Sequence, residues 1–498
     1  MGSNALDPSS STPAPSLKQR AVRGTLLSIL NVGGVQILRL VGNVITTRLL
    51  FPEAYGLMLM VLVLVQGLHM ISDVGILPSI IQHKRGEERD FLDTAWTMQA
   101  LRGGLITLLG LALAWPYAKF YGQEGLIGMI LVASTQGLIS GFESTNLATL
   151  NRRIELGRLV LVNFGAQVVS FVVMVVWAYL SPSVWALLAG ALAGDVARTV
   201  LSYVAVPGPR NRFRWEPEAA HVIFHFGKWI FVSTLVTYLG MRFDALALGK
   251  LIGDTPGGLD DLGVYNIGQN LAGLPTLVTG QVVIWVLLAA LSESFRDDSA
   301  RFVETVQRTR RVLNAAGILM IVGTAVGAPA FFYLLYDARY AAAGWMVQLL
   351  MLSTWFFFLQ ETSVRVELAM GRSRSQMVAN VAKLVATVPG ALGGYFAGQH
   401  WLGNGMAGLL VGITLGSVVG YAFVAYSLRD NGVPIVASDM KWTLVGLVLA
   451  GLGGYTPWVL GPMLDVDAPL LSIAVGIVVV GPYAVWCARV ILREVRRQ

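Results

Sequence analysis

Apolar segments long enough to cross a bilayer follow one another along almost the whole chain. A membrane-spanning helix needs about 20 residues, and fourteen segments reach that length. The connections between them are short, which leaves few residues for a soluble active site. The pattern therefore predicts an all-α polytopic membrane protein with spans at approximately 24–48, 54–81, 92–117, 124–150, 158–180, 184–207, 222–249, 262–291, 311–335, 343–370, 377–398, 405–428, 442–462 and 469–491.

One of these spans carries charges far from its ends. The stretch 226–253 is mostly apolar, yet Arg242 and Asp244 lie inside it. A charge at that depth costs about 2.5–3.5 kcal/mol on insertion scales, and it normally faces a bundle interior or a water-filled cavity. The stretch is therefore the first candidate for a polar site within the membrane.

The same stretch has a counterpart near the start of the chain. Residues 24–39 align with 227–242 without a gap, so that Arg39 corresponds to Arg242. A short break and an apolar helix follow in both copies, led by Gly56 in one and Gly263 in the other. The alignment predicts a duplicated unit and hence two related halves.

The duplication predicts six helices, a linker, six helices and an additional pair. The linker is rich in Pro, Gly and Arg, and the start of the chain, rich in Ser and Pro, lacks the pattern of a signal peptide. We expect a disordered cytoplasmic tail over 1–20, an N-lobe with helices 1–6 over 21–207, a basic cytoplasmic linker over 208–220, a C-lobe with helices 7–12 over 221–430, and a C-terminal pair of helices 13 and 14 over 431–498.

Composition agrees with a membrane protein, and the basic residues indicate its orientation. The chain of 498 residues is 55% hydrophobic and only 13% charged, whereas soluble proteins carry about 25% charged residues. With a cytoplasmic N-terminus, most loop Lys and Arg fall on the cytoplasmic side, as the positive-inside rule requires. The opposite side holds only Arg48, Lys119, Lys250 and Arg339. Because a missed span would invert every later loop, both termini are predicted to be cytoplasmic, and the net charge of +7 needs no nucleic-acid partner.

Polar side chains remain inside the spans after the loops are accounted for. A bundle that only anchors another protein does not need so many, so we predict a polar, net-basic cavity between the halves. Arginine suits such a cavity because its guanidinium stays charged and can bind phosphate or carboxylate in bidentate fashion. The basic residues are Arg39, Arg102, Arg198, Arg242, Arg365 and Lys383; the acids are Asp73, Glu143, Asp195, Asp244 and Glu361; the amides are Gln36, Gln66, Gln99, Gln167, Gln269, Asn270 and Gln281.

Structural roles compete with cavity roles for some of these residues. Glu361 and Arg365 are four apart, and Asp195 and Arg198 are three apart, so each pair shares a helix face and can form an ion pair. Arg365 can also extend to the cytoplasmic surface. Asp244 can serve mainly to neutralise the charge of Arg242.

Signatures of catalysis are absent from the sequence. It contains no Walker A loop, no Cys/His spacing for a metal and no nucleophile elbow. The single cysteine, Cys487, excludes an intramolecular disulfide framework. These observations favour a transporter over an enzyme.

Several stretches resemble the polysaccharide-transport (Wzx-type) branch of the multidrug/oligosaccharidyl-lipid/polysaccharide (MOP) flippase superfamily. The resemblance covers approximately residues 20–430. It is carried by 226–229, Asp244, 249–253 and 262–265 in the second half, by 48–56 and 73–82 in the first half, and by the similar phrases 150–153 and 370–374.

The resemblance implies a flippase of the bacterial inner membrane whose two lobes rock between inward-open and outward-open states. Such proteins move polyprenyl-diphosphate-linked oligosaccharides from the cytoplasmic to the periplasmic leaflet, for exopolysaccharide, capsule or O-antigen assembly. Membrane lipids, a polysaccharide polymerase and export proteins are the implied partners. No cofactor is implied, and a Na⁺ or H⁺ gradient or the membrane potential is the expected source of energy.

The expected chemistry assigns roles to the polar residues within the spans. A diphosphate needs cations, and a sugar needs amides and aromatic rings. We expect Arg39, Arg102 and Arg242 to bind the diphosphate, with Arg198 and Arg365 also in the substrate cavity. We expect Gln36, Gln269, Asn270 and Tyr238 to contact the sugar, and Asp73, Glu143, Asp244 or Glu361 to bind a coupling ion or act as counter-ions.

Other functions fit the same pattern less well. A cation-coupled multidrug exporter would favour acids and aromatic residues in its cavity, whereas arginines are prominent here. A flippase for the peptidoglycan precursor would also have fourteen helices and a cationic cavity. A membrane glycosyltransferase or polymerase usually carries a large outer loop, and the largest one here, residues 250–261, is short. A scaffold that transports nothing is the weakest alternative.

Overall fold

The computed structural model describes residues 17–73, 75–153, 155–277, 299–464 and 467–495. Long α-helices make up nearly all of these residues, and no strand occurs among them. The helices are α1 (Leu17–Leu49), α2 (Pro52–Ile71), α3 (Ile76–Gln82), α4 (Arg89–Tyr121), α5 (Leu126–Gly141), α6 (Asn146–Arg152), α7 (Leu156–Leu180), α8 (Val184–Val204), α9 (Pro217–Ile252), α10 (Gly258–Ala272), α11 (Ser299–Leu335), α12 (Ala343–Ala369), α13 (Ser373–Leu402), α14 (Gly405–Asp430), α15 (Val436–Leu464) and α16 (Ala468–Val495).

The described helices confirm an all-helical, multi-pass membrane protein. Ten of them are long and apolar enough to cross a membrane, and α5 and α6, which meet at a bend of 62°, make eleven if they form one broken span. The spans predicted at 24–48 and 222–249 lie within the long helices α1 and α9. The span predicted at 262–291 begins in α10 and then leaves the described residues. The total of fourteen therefore stays a prediction.

Glycines bring α13 and α14 into close contact. Gly390 and Gly394 on α13 face Gly412 and Gly408 on α14, and a Cβ added to any of the four would meet the backbone carbonyl oxygen of its opposite glycine. Residues four apart lie on the same face of a helix, so these glycines form a stripe without side chains on each helix. Helices in lipid associate through such stripes because small residues allow close backbone approach. The spacing of these glycines thus determines which faces of α13 and α14 pack together.

A second glycine contact joins the two predicted lobes. A Cβ on Gly56 of α2 would overlap with the carbonyl oxygen of Leu259, and a Cβ on Gly263 of α10 would overlap with that of Pro52. Leu259 lies four residues before Gly263, and Pro52 lies four residues before Gly56. Each helix therefore presents a glycine to a carbonyl of the other helix in the same way. We call Pro52, Gly56, Leu259 and Gly263 the glycine clasp. The two glycines are equivalent in the predicted duplication, which itself stays a prediction.

Polar contacts surround the glycine clasp and close this end of the molecule. They connect residues before the linker to residues after it. The backbone N–H of Glu53 donates to Asp260 Oδ1 at 2.9 Å, Asn266 Nδ2 donates to the carbonyl of Tyr55 at 3.1 Å, Gln123 Nε2 donates to the carbonyl of Gly253 at 2.9 Å, and the Tyr340 hydroxyl donates to the carbonyl of Leu50 at 3.2 Å.

The predicted linker is fastened to α4. Backbone N–H groups of residues 212, 214 and 216 donate to side-chain oxygens of Asp93, Thr97 and Thr94 at distances of 3.0–3.1 Å. Arg85, in the loop before α4, joins Glu216 at 2.7 Å. Hydrogen bonds to Glu88 and to Glu216 raise the pKa of Arg85 above its ordinary value. The start of α9 is therefore attached to the helices that precede the linker.

A buried ion pair attaches the C-terminal helices. Arg310 of α11 and Asp439 of α15 are 2.6 Å apart, with their side chains 3% and 0% exposed. Asn314 and Tyr421 also donate to the Asp439 carboxylate, both at 2.8 Å. Removing one partner of a buried ion pair typically costs about 3–5 kcal/mol because the other charge is left uncompensated. The predicted C-terminal pair is thus joined to α11 and α14 through a charged contact that sequence analysis did not single out.

We predict that Gly56→Val opens the clasp end. The added methyl groups would enter the Leu259 backbone, and overpacking of this kind typically costs about 1–3 kcal/mol. Spin labels at the exposed positions Glu124 and Pro256, in a Cys487→Ala background, should then report a longer distance between the two sides.

Gly104→Val is the matched control, since no atom lies within 4 Å of a Cβ at that position. Its label distance should equal that of the parent protein. An unchanged distance in Gly56→Val would mean that the clasp does not hold this end closed.

Candidate functional site

A cavity of about 990 Å³ lies between helices from both predicted lobes. Ligand pockets usually measure about 300–1,000 Å³, so this one can take a large ligand. Residues of α1, α2, α9, α10, α12, α13 and α14 line it. Its main polar lining residues are Gln36, Arg39, Asn43, Gln66, Tyr238, Arg242, Asp244, Asn266, Gln269, Asn270, Ser353, Thr354, Lys383, Thr387 and Ser417.

Arg242 links the two predicted lobes inside the cavity. One terminal nitrogen, Nη2, donates to Gln66 Oε1 on α2 at 3.1 Å, and Nη1 donates to Gln269 Oε1 on α10 at 3.2 Å. Both acceptors are neutral amides. No carboxylate in the described ranges pairs with this guanidinium within 4.0 Å, so its charge is available to an anionic ligand.

Asp244 lies two residues after Arg242 but does not form an ion pair with it. Residues two apart on a helix point to different faces. The Asp244 side chain, in a residue only 7% exposed, instead accepts hydrogen bonds from the Tyr265 hydroxyl, from Gln269 Nε2 at 2.7 Å and from its neighbour's backbone N–H at 2.7 Å. Gln269 therefore bridges the arginine and the aspartate, and the two charges remain separate.

Two further basic residues line the same cavity. Arg39 on α1 donates through Nε to Gln167 Oε1 on α7 at 3.2 Å. The Lys383 ammonium on α13 lies 4.3 Å from the centre of the Phe357 ring. Neither residue has a carboxylate partner within 4.0 Å in the part of the chain that the structure describes. Three basic side chains thus face a single lining carboxylate, that of Asp244.

The residues expected to contact sugar also lie here. Gln36, Gln269, Asn270 and Tyr238 all line the cavity. The Tyr238 hydroxyl donates to the carbonyl oxygen of Val63 on α2, so its ring forms another bridge from α9 to α2. Amide and hydroxyl groups of this kind can both donate to and accept from carbohydrate hydroxyls.

Arg102 occupies a different place from the one expected. Its Nε donates to Ser72 Oγ at 3.1 Å and its Nη2 to the carbonyl of His69 at 2.5 Å, while Asp73 Oδ1 is 4.0 Å from Nη1. Free carbonyls at the C-terminal end of a helix attract cations. Arg102 and Asp73 are therefore grouped around the end of α2, outside the lining of the cavity described here.

The other expected site residues form ion pairs away from this cavity. Arg198 lies 2.9 Å from Glu143 rather than pairing with Asp195, and Arg365 lies 3.2 Å from Glu361 one turn away on α12. The second pair has the helix-face geometry that the sequence allowed. None of the four lines the cavity, and their roles in binding or coupling stay predictions.

Two features of the site were not predicted from the sequence. Lys383 was among the basic residues predicted within spans but was not assigned to substrate, and Gln66 was given no role. The glycines from Gly408 to Gly420 mark the side of α14 that packs on α13, but they do not indicate where the Lys383 side chain points. No signal in the sequence pointed to the bond between Gln66 and Arg242.

Comparison with known proteins places this fold and cavity in a family. The family described as "Polysaccharide biosynthesis protein" matches residues 45–344, more than half of the chain. The lipopolysaccharide biosynthesis protein WzxC of Escherichia coli is 22% identical over 402 residues, covering 80% of this chain and 78% of the relative. The succinoglycan biosynthesis transport protein ExoT of Rhizobium meliloti is 22% identical over 441 residues, covering 86% and 87%.

Among solved structures, the lipid II flippase MurJ in an inward closed conformation has a similar fold. The TM-score is 0.67 at 12% identity, over 94% of this chain and 99% of that one. The likeness shows the fold of a multi-pass, all-helical membrane protein. The chain belongs to the polysaccharide biosynthesis protein family, which confirms the resemblance found in the sequence.

We predict that Tyr265→Phe destabilises the folded protein. The substitution removes one donor to the buried Asp244 carboxylate, and leaving such a group under-satisfied typically costs about 1–3 kcal/mol. The midpoint of thermal unfolding in detergent should fall. Tyr333→Phe is the matched control: the Tyr333 hydroxyl also donates to a carboxylate, Asp467 Oδ2 at 2.7 Å, but the residue is exposed. Equal midpoints for the two variants would contradict the role given to Tyr265.

Proposed function

We propose that the protein is a flippase for a lipid-linked saccharide. It moves polyprenyl-diphosphate-linked oligosaccharides from the cytoplasmic to the periplasmic leaflet of the bacterial inner membrane, for exopolysaccharide, capsule or O-antigen assembly. The observation that carries the proposal is the cavity between the predicted lobes, which Arg39, Arg242 and Lys383 all line, each without a carboxylate partner within 4.0 Å among the described residues. Family membership supports the same class of substrate.

The cavity offers suitable groups for each part of such a molecule. Guanidinium groups bind phosphate oxygens in bidentate fashion. In this proposal Arg39 and Arg242 therefore bind the diphosphate. Gln36, Asn270 and Tyr238 then face the first sugars. A polyprenyl chain need not enter the cavity, since it can stay in the bilayer between the lobes.

The glycine clasp indicates which side is closed. If both termini are cytoplasmic, as the positive-inside distribution predicts, α2 and α10 begin at the periplasmic side. In this orientation the clasp and its polar contacts seal the cavity from the periplasm. Release of substrate to the outer leaflet requires the clasp to open.

Arg242 connects substrate binding to that opening. In the structure its donors go to Gln66 on α2 and to Gln269 on α10. A diphosphate that takes these donors replaces the Gln66 bond, and the lobes lose a contact that spans them. Because a ligand shifts an equilibrium only through its different affinity for the two states, this exchange of partners supplies a physical reason for alternating access.

The membrane potential is a sufficient driving force in principle. Moving one charge across 100 mV is worth about 2.3 kcal/mol, and an inside-negative potential favours outward movement of an anionic diphosphate. A Na⁺ or H⁺ gradient is the alternative, and it would use a carboxylate that faces the ligand. Of the four expected acids, Asp73, Glu143, Asp244 and Glu361, Asp244 is the one that lines the cavity. No cofactor is part of the proposal.

Partners follow from the proposed chemistry. The protein would receive its substrate from the cytoplasmic leaflet and deliver it to a polysaccharide polymerase and export proteins. A peptidoglycan-precursor flippase would bind the same diphosphate, but the family match favours polysaccharide precursors. A multidrug exporter for cations fits poorly, because three basic residues line the cavity against one acid.

We predict that Arg39→Gln and Arg242→Gln each reduce leaflet transfer of a lipid-linked oligosaccharide by tenfold or more. Each removes a charge-assisted hydrogen bond, worth about 1.5–3 kcal/mol. Transfer can be measured in proteoliposomes by the accessibility of the sugar to a lectin added outside.

Arg214→Gln is the matched control, because its exposed pair with Asp90 lies outside the cavity and such pairs contribute about 0–1 kcal/mol. Near-normal transfer is expected for it. Normal transfer by both cavity variants would overturn the site, and transfer of a cationic dye without the sugar lipid would favour a drug exporter.

A further inference from the structure

We infer that Lys383 is a third phosphate ligand, and that it lets the cavity distinguish a diphosphate from a monophosphate headgroup. This inference rests on the proposed function, since it concerns the headgroup of the same ligand. It goes beyond that proposal because it assigns selectivity to one residue of α13, in addition to the two arginines on α1 and α9.

The first observation is that the Lys383 charge is unpaired. Ionisable residues within membrane helices normally pair with one another or face a cavity. In the described part of the chain no carboxylate lies within 4.0 Å of the Lys383 ammonium; Glu361 and Asp244 attract it only from farther away. Its contact is the face of the Phe357 ring at 4.3 Å. A hydrogen bond between an ammonium and a phosphate is stronger than a contact with an aromatic face, so an incoming phosphate can displace the ring.

The second observation is that the backbone of Lys383 is fixed. Its carbonyl accepts from Thr387 Oγ1 at 2.8 Å. A Cβ on Gly420 of α14 would lie 3.2 Å from the Cβ of Lys383, so the two helices leave no room for the side chain between them. Lys383 lines the cavity, and its ammonium lies over the ring of Phe357, another lining residue.

A polar connection next to Lys383 adds to this fixation. Asn380, about one turn earlier, donates to Thr237 Oγ1 on α9 at 3.1 Å and accepts from Gln360 Nε2 on α12 at 3.2 Å. These bonds hold α13 against the helix that carries Arg242. A movement of α9 on binding would therefore be transmitted to the base of the Lys383 side chain.

The chemistry of the lysine suits a second phosphate group. Arginine presents a rigid fork, whereas an ammonium on a flexible stem is a point charge with three donors that can turn toward any oxygen. In the inferred arrangement Arg39 and Arg242 bind one phosphate group. A diphosphate has a second group and more negative charge, and Lys383 supplies the matching cation.

The test compares two short ligands, farnesyl diphosphate and farnesyl monophosphate, titrated into the full-length protein in nanodiscs. Lys383→Met should weaken diphosphate binding by about ten- to a hundredfold, the loss expected for a hydrogen bond to a charged group. The affinity of the same variant for the monophosphate should stay within about threefold of the parent protein's affinity. Lys383→Arg should retain most of the diphosphate affinity, and Lys441→Met, at an exposed lysine on α15, should change neither.

The outcomes separate this inference from the function on which it rests. If the parent protein binds no farnesyl diphosphate, the proposed flippase function fails. If it binds and Lys383→Met is unaffected, or loses both ligands equally, the selectivity inference is wrong and the function stands. Lys383→Gln is measured in parallel, so that a failure of the Met variant to fold does not prevent the decision.

Discussion

The structure depends on positive charge placed in a low-dielectric bundle with no carboxylate in contact among the residues that the structure describes. Arg242 illustrates the constraint. Its guanidinium would be costly in hydrocarbon, and neutral amides from two helices solvate it instead of an acid. An acid in contact would stabilise the charge more, but it would also cancel the attraction for an anionic ligand. The separation of Arg242 from Asp244, enforced by their spacing on one helix and by Gln269 between them, keeps that attraction.

Close helix packing makes the cavity and the closure compatible. Glycines allow α2 and α10 to touch at the clasp and allow α13 and α14 to touch along their length. Lipid provides no hydrophobic force between helices, so such contacts rely on close backbone approach. In each of these two helix pairs, the faces that do not take part in the glycine contact are free to line the cavity. At the clasp a glycine of each helix contacts the backbone of the other, so no bulky side chain fills that contact.

Much of the fold and part of the site were predictable from the sequence. Apolar length located most helices, and the charges of the stretch 226–253 led to Arg242 and to its counterpart Arg39, which line one cavity. Arg102 was expected in this cavity but does not line it. Depth along a helix does not give the direction in which a side chain points. Its guanidinium binds the end of α2 instead.

Contacts between distant segments were the part that sequence could not supply. The bond from Arg242 to Gln66 and the ion pair of Arg310 with Asp439 join residues 176 and 129 positions apart. Neither has a periodic pattern that a single chain reveals. The role inferred for Lys383 became visible only when the structure showed that this residue lines the cavity.

The most direct measurement of the central claim is a cryo-electron microscopy structure with a polyprenyl-diphosphate-linked saccharide bound. The account predicts density for the diphosphate between Arg39 and Arg242, with the bond from Arg242 to Gln66 broken and the lipid chain leaving between the lobes. Density for the diphosphate at Arg102 or at the Arg198–Glu143 pair, with the cavity between the lobes empty, would contradict it.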